Sequence, residues 1–65
     1  MIIYWMALRV PNLNGKTVCF GCELVHGEVA KEAKIEEYSK YAKHRNFPES
    51  EIEIAQLTNI TKIKL

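Results

Sequence analysis

The chain changes its hydrophobic rhythm four times. Ile2 to Val10 is apolar at nearly every position and rich in β-branched and aromatic residues, as expected of a central strand. Thr17 to Val25 keeps a period of two, with Val18, Phe20, Cys22 and Leu24 on one face and Cys19, Gly21, Glu23 and Val25 on the other. Glu28 to Arg45 takes up helical spacing, with an inward stripe of Ala30, Ile35, Tyr38, Tyr41 and Ala42 and with Ala33 near its edge. Glu51-Ile52-Glu53-Ile54 returns to strand alternation. Beyond it the apolar phase slips from even to odd numbers, which predicts a bulge or break between Ala55 and Thr61. The tail Lys62-Ile63-Lys64-Leu65 either extends the third strand or forms a short extra one, and it is also a candidate cover for the exposed sheet face.

The helix ends are marked by charge and by turn residues. Glutamates at 28, 32, 36 and 37 crowd its first half, and Lys40, Lys43, His44 and Arg45 crowd its last turns, which complements the helix dipole. Asn46 suits the left-handed position after the helix, Phe47 folds back toward Tyr41 or Ala42, and Pro48 stops continuation. At the start Gly27 is the best available cap. Between the first two strands Asn14-Gly15 resembles a tight turn, but that turn would set Met6 opposite Glu23 and Leu8 opposite Gly21. Matching the apolar faces instead places Leu8 by Phe20, Met6 by Cys22 and Tyr4 by Leu24, which requires a three- or five-residue loop with Gly15 as its left-handed residue.

These elements define an α+β fold of order ββαβ, a three-stranded, mainly antiparallel sheet in the order 2-1-3 with one helix packed on one face. Strand one, the most apolar, takes the centre, and strands two and three are the free edges. The chain reads as one small domain over residues 1–65, because a chain this short buries only about 60% of its unfolded surface. With 48% hydrophobic and 26% charged residues it lies in the ordinary globular range. A net charge of +1 supplies no long-range field toward nucleic acid or an anionic membrane. The apolar start is too short for a secretory signal and is interrupted by Arg9, and no run of about 20 apolar residues exists, so a cytoplasmic location without membrane partners is expected.

A helix on one face leaves the other open. That face is expected to carry Ile3, Trp5, Ala7, Cys19 and Val25, with Leu57 as a further candidate, and it is more apolar than a solvated face normally is. Ile3, Trp5, Val25 and Leu57 are therefore the candidate protein-binding residues, for a homodimer or another protein partner. The edge strands offer a second route, by strand addition.

One constellation carries possible chemistry: Cys19-Phe20-Gly21-Cys22, with His26 and His44. Two Cys and two His complete a zinc set in number. On a regular strand, however, residues three apart are about 10 Å distant and point to opposite faces. Only a bulge or turn at Gly21 would join the thiols, so Cys22 is expected as a small core residue and Cys19 as a free thiol in a reducing compartment. A thioredoxin-like reading fails because Glu23-Leu24-Val25 continues as strand where a helix should start. No phosphate loop, nucleophile elbow or Asp is present, so neither an enzyme nor a cofactor is indicated. Lys40, Lys43, His44 and Arg45, with Lys16, Lys62 and Lys64 as additions, form the candidate nucleic-acid surface; a binding domain is normally more basic overall.

The element order, over the whole chain, is similar to that of very small phage-encoded proteins that block host enzymes, such as short inhibitors of bacterial RNA polymerase or of uracil-DNA glycosylase. The resemblance rests on order and size and carries over no functional residue. It implies a non-enzymatic accessory protein of a phage or mobile element that binds a host protein or self-associates. A nucleic-acid binder and a CxxC metal or thiol-redox domain are the alternatives.

Overall fold

A computed structural model of the chain describes residues 2–11, 14 and 16–65. The order is β1 (Ile3–Pro11), β2 (Thr17–His26), α1 (Glu28–Arg45), β3 (Glu51–Gln56) and β4 (Asn59–Lys64). The fold is α+β, and its sheet has four strands rather than three, in the order β2-β1-β3-β4 with every neighbouring pair antiparallel. The extra strand accounts for the phase slip. Gln56 pairs with Asn59, and Leu57 turns the chain at a left-handed φ of 52°, so the tail returns beside β3 instead of crossing the open face. The free edges are therefore β2 and β4, and β3 is internal.

β1 sits in the centre because both of its faces are apolar. Its even residues, Tyr4, Met6, Leu8 and Val10, join Val25, Ile52 and Ile54 under Tyr38 and Ala42 of the helix. Met6, Leu8 and Ile52 are almost wholly withdrawn from water, and burial of such a side chain contributes roughly 1.5–3 kcal/mol. The helix ends as its sequence requires. Asn46 adopts the left-handed conformation, its N–H donates to the Lys43 carbonyl at 3.2 Å, and the Phe47 N–H donates to the Ala42 carbonyl at 3.1 Å. At the start Gly27 takes φ 93° and ψ 161°, a conformation only glycine adopts readily, and its N–H donates to the Ile2 carbonyl at 2.7 Å.

The hairpin register departs from the alternation of β2. Near the connection, residues 12–16, Val10 pairs with Val18 and Arg9 with Cys19, as an odd-length loop demands. The expectation for Gly15 lies outside the described residues. Then the register shifts: Leu8 faces Gly21, not Phe20; Met6 faces Glu23, not Cys22; and Tyr4 faces Val25, not Leu24. Phe20 is the unpaired residue of a β-bulge.

Packing against the helix explains the shift. A Cβ on Gly21 would lie 3.3 Å from the Tyr38 ring, closer than an ordinary contact, so glycine seats that ring over the sheet without displacing it. Phe20, freed from pairing, stacks against Phe47 with ring centroids 4.6 Å apart. Glu23, turned to the helix side, is met by Lys34 at 2.6 Å, and Lys34 is also paired with Glu37. With these two carboxylates around it, Lys34 holds its proton far above the ordinary lysine range.

Candidate functional site

The uncovered face of the sheet is built from the odd residues of β1 and the residues paired with them. Ile3, Trp5, Ala7 and Arg9 run down its centre, flanked on β2 by His26, Leu24, Cys22 and Cys19. On the other side lie Ala55, Glu53 and Glu51 of β3, followed by Ile60, Lys62 and Lys64 of β4.

This face has two unlike ends. At the Arg9 end the charges are paired within the chain: Arg9 donates to Glu53 at 3.2 Å, and Lys64 approaches Glu51 at 2.9 Å with Lys62 at 3.9 Å. The hydrogen bond from Lys64 holds the Glu51 carboxyl below its usual range. At the other end Ile3, Trp5, Leu24 and Ile60, which are 48%, 39%, 62% and 61% exposed, gather around Ala55, with His26 beside Ile3. Leu57, fully exposed, stands at the rim of this end, in the turn just beyond Ala55. Ala7, under the middle of the face, is wholly buried.

Of the residues expected on this face, Ile3, Trp5, Ala7 and Cys19 are there. Val25 is not: the bulge turns it under the helix opposite Tyr4, where it is buried, and brings Leu24 out in its place. Ile60 was hidden from sequence reasoning because its strand was not delimited. Its signal was the apolar phase slip after Ala55, which a hairpin explains as well as a bulge does.

The cysteines are the largest departure from expectation. Cys19 lies opposite Arg9 and Cys22 opposite Ala7, so the bulge between them places both on the open face. Both are exposed free thiols. The Cys19 thiol donates to the Gly21 carbonyl at 3.3 Å. Partial burial, then the neighbouring Cys22 thiol, push the Cys19 thiol above its ordinary pKa. His26 sits at the Ile3 end of the sheet and His44 in the last turn of the helix, so they do not complete a ligand set with the thiols. Among the described residues no group of three or more His, Cys, Asp or Glu side chains is placed to hold a metal ion.

The basic candidates divide. Lys40 pairs with Glu36 at 2.9 Å and the Arg45 guanidinium lies 5.2 Å from the Tyr41 ring centre, while Lys43 and His44 occupy the last helical turn. Lys62 and Lys64 belong to the ion pairs of the open face. Among the described residues no helix is long and apolar enough to cross a membrane. Comparison with protein families, with curated proteins and with solved structures returns no match for this chain.

Proposed function

We propose that this chain is a small protein-interaction module that binds rather than catalyses, and that its open sheet face docks against a second copy of itself. The observation that carries the reading is the contiguous apolar end formed by Ile3, Trp5, Leu24 and Ile60, with Leu57 at its rim. Trp is a frequent anchor at the centre of interfaces.

Three considerations favour the face over an edge and a like copy over an unlike partner. The β2 edge carries the bulge and the β4 edge carries Lys62 and Lys64, both devices that discourage strand addition. Arg9, Lys62 and Lys64 are largely offset on the same face by Glu51 and Glu53, leaving one positive charge, so two identical faces meet with little like-charge repulsion. Finally, the molecule extends 38 × 24 × 16 Å, so its broad face offers at most about 900 Å², comparable with the ~800 Å² that each partner commonly buries.

Sedimentation equilibrium from micromolar to near-millimolar concentration tests the proposal. Wild type is expected to associate in a concentration-dependent way that survives added salt, since the contact is apolar. Trp5→Ala and Leu24→Lys, each verified as folded by circular dichroism, are expected to shift the equilibrium to monomer. A wild type that stays monomeric throughout, or variants that associate as wild type does, would overturn it.

A further inference from the structure

The dithiol on the open face has a geometry that the bare sequence spacing forbids. Cys19 and Cys22 are three residues apart in sequence but oppose Arg9 and Ala7, only two apart on β1. Their separation along the strand is therefore that of two residues, roughly 6.6 Å at ~3.3 Å per residue, instead of about 10 Å. That falls at the long end of the 4.4–6.8 Å window for the Cα atoms of a disulfide, and the two side chains now leave the same face of the sheet.

The surroundings favour closure. β2 is an edge strand whose ladder is already interrupted at Phe20, so a further local adjustment breaks no additional pairing on its free side. Both thiols are exposed, so a small oxidant reaches them. With no third ligand beside them among the described residues, a structural zinc site does not compete for the pair.

We propose that Cys19 and Cys22 form a reversible dithiol–disulfide pair, closed by exchange with a low-molecular-weight disulfide. In the first step the thiolate of one cysteine attacks a sulfur of glutathione disulfide, forms a mixed disulfide and releases one glutathione thiolate. In the second step the other cysteine's thiolate attacks the protein sulfur of that mixed disulfide, closing the intrachain bond and releasing the second glutathione. Two electrons pass from the protein to the oxidant, and the two protons lost by the cysteines end on two glutathione thiols. Because the Cys19 thiol is held protonated at neutral pH, closure accelerates as pH rises.

The test is intact-mass spectrometry of the whole chain in glutathione redox buffers, at a protein concentration low enough to keep copies apart. Expected for wild type is loss of the mass of two hydrogens, with simultaneous loss of both iodoacetamide-reactive thiols and full recovery on reduction. Cys19→Ser and Cys22→Ser are each expected to stop at a single glutathione adduct. The proposal is overturned if wild type accumulates stable glutathione adducts, keeps both thiols alkylatable in an oxidising buffer, or forms interchain disulfides instead. The outcome is independent of self-association, because the bond lies within one chain.

Discussion

Leu57 is the residue at which local strain and the proposed interface can be separated. It holds a left-handed φ of 52° in the β3–β4 turn while its side chain is 98% exposed. A left-handed conformation costs a non-glycine L-residue roughly 1–2 kcal/mol, and Asn, which tolerates that region, recovers much of it. In the isolated chain Leu57→Asn gives up no buried apolar area, so the strain term decides the sign, and a gain of about 0.5–1 kcal/mol is expected. For a domain of this size each kcal/mol moves the melting temperature by roughly 4–8 °C, so the shift should be about 2–8 °C upward. Leu57→Gly should gain less, since it relieves the strain but enlarges the entropy of the unfolded chain. The assay is thermal unfolding followed by circular dichroism at several protein concentrations. If Leu57 is buried by a second copy, the gain appears at dilution and shrinks or reverses as concentration rises. A melting temperature lowered by Leu57→Asn even at dilution would refute the strain argument, because Leu57 would then be packed within its own chain.

Two further predictions follow from the register and from the ion pairs. Val25→Lys buries an unpaired ammonium under the helix and is expected to cost several kcal/mol or to prevent folding, whereas Leu24→Lys leaves the stability of the isolated chain within about 0.5 kcal/mol; urea titration at low concentration checks this, and the reverse ranking would remove the bulge from β2. Hydrogen bonds from Lys64 and from Tyr4 lower the folded pKa of Glu51 and of Glu28, so these carboxylates add stability above the unfolded glutamate value of ~4.3 and lose it as pH falls through their folded values. Lys34, raised mainly by Glu23 and then by Glu37, acts in the opposite sense: its contribution is present below the unfolded lysine value of ~10.4 and is lost as pH rises beyond it. Urea midpoints against pH should form a plateau that falls at both ends, with a flatter acid limb in Glu51→Gln; an unchanged limb would sink the assignment.

Strand order and helix bounds were legible because each rested on a strong local signal. The apolar run of β1 demanded the centre of the sheet, and the graded charges of Glu28 to Arg45 with Asn46, Phe47 and Pro48 after them marked the helix and its end, while its start, with no side-chain cap, was signalled only by Gly27. The fourth strand was legible only as a phase slip, because its turn uses Leu57 where Gly or Asn would have announced a hairpin. The bulge left one faint local trace, Gly21 inside a strand, where glycine often marks a bulge. Val18, Phe20, Cys22 and Leu24 alternate well, and a strand with one inserted residue has the same alternation on either side of it. What selects the insertion is the fit of Tyr38 over Gly21 and the reach of Lys34 to Glu23, contacts made between elements.

One inserted residue thus determines several properties of the open face together. Without the unpaired Phe20, the register that begins at Val10 and Val18 would continue, Leu24 would point into the core and Val25 out, and the apolar end around Trp5 would lose its most exposed neighbour on β2. The same insertion draws Cys19 and Cys22 onto one face. The side chain that faces the bulge from the helix side is Tyr38, whose ring lies 3.3 Å from where a Cβ on Gly21 would stand and which is among the most buried residues of the helix. Packing on the covered side of the sheet therefore governs which residues are displayed on the uncovered side. A core substitution at Tyr38 or Gly21 that releases the bulge is expected to alter self-association and thiol pairing at once, without touching any residue of the exposed surface.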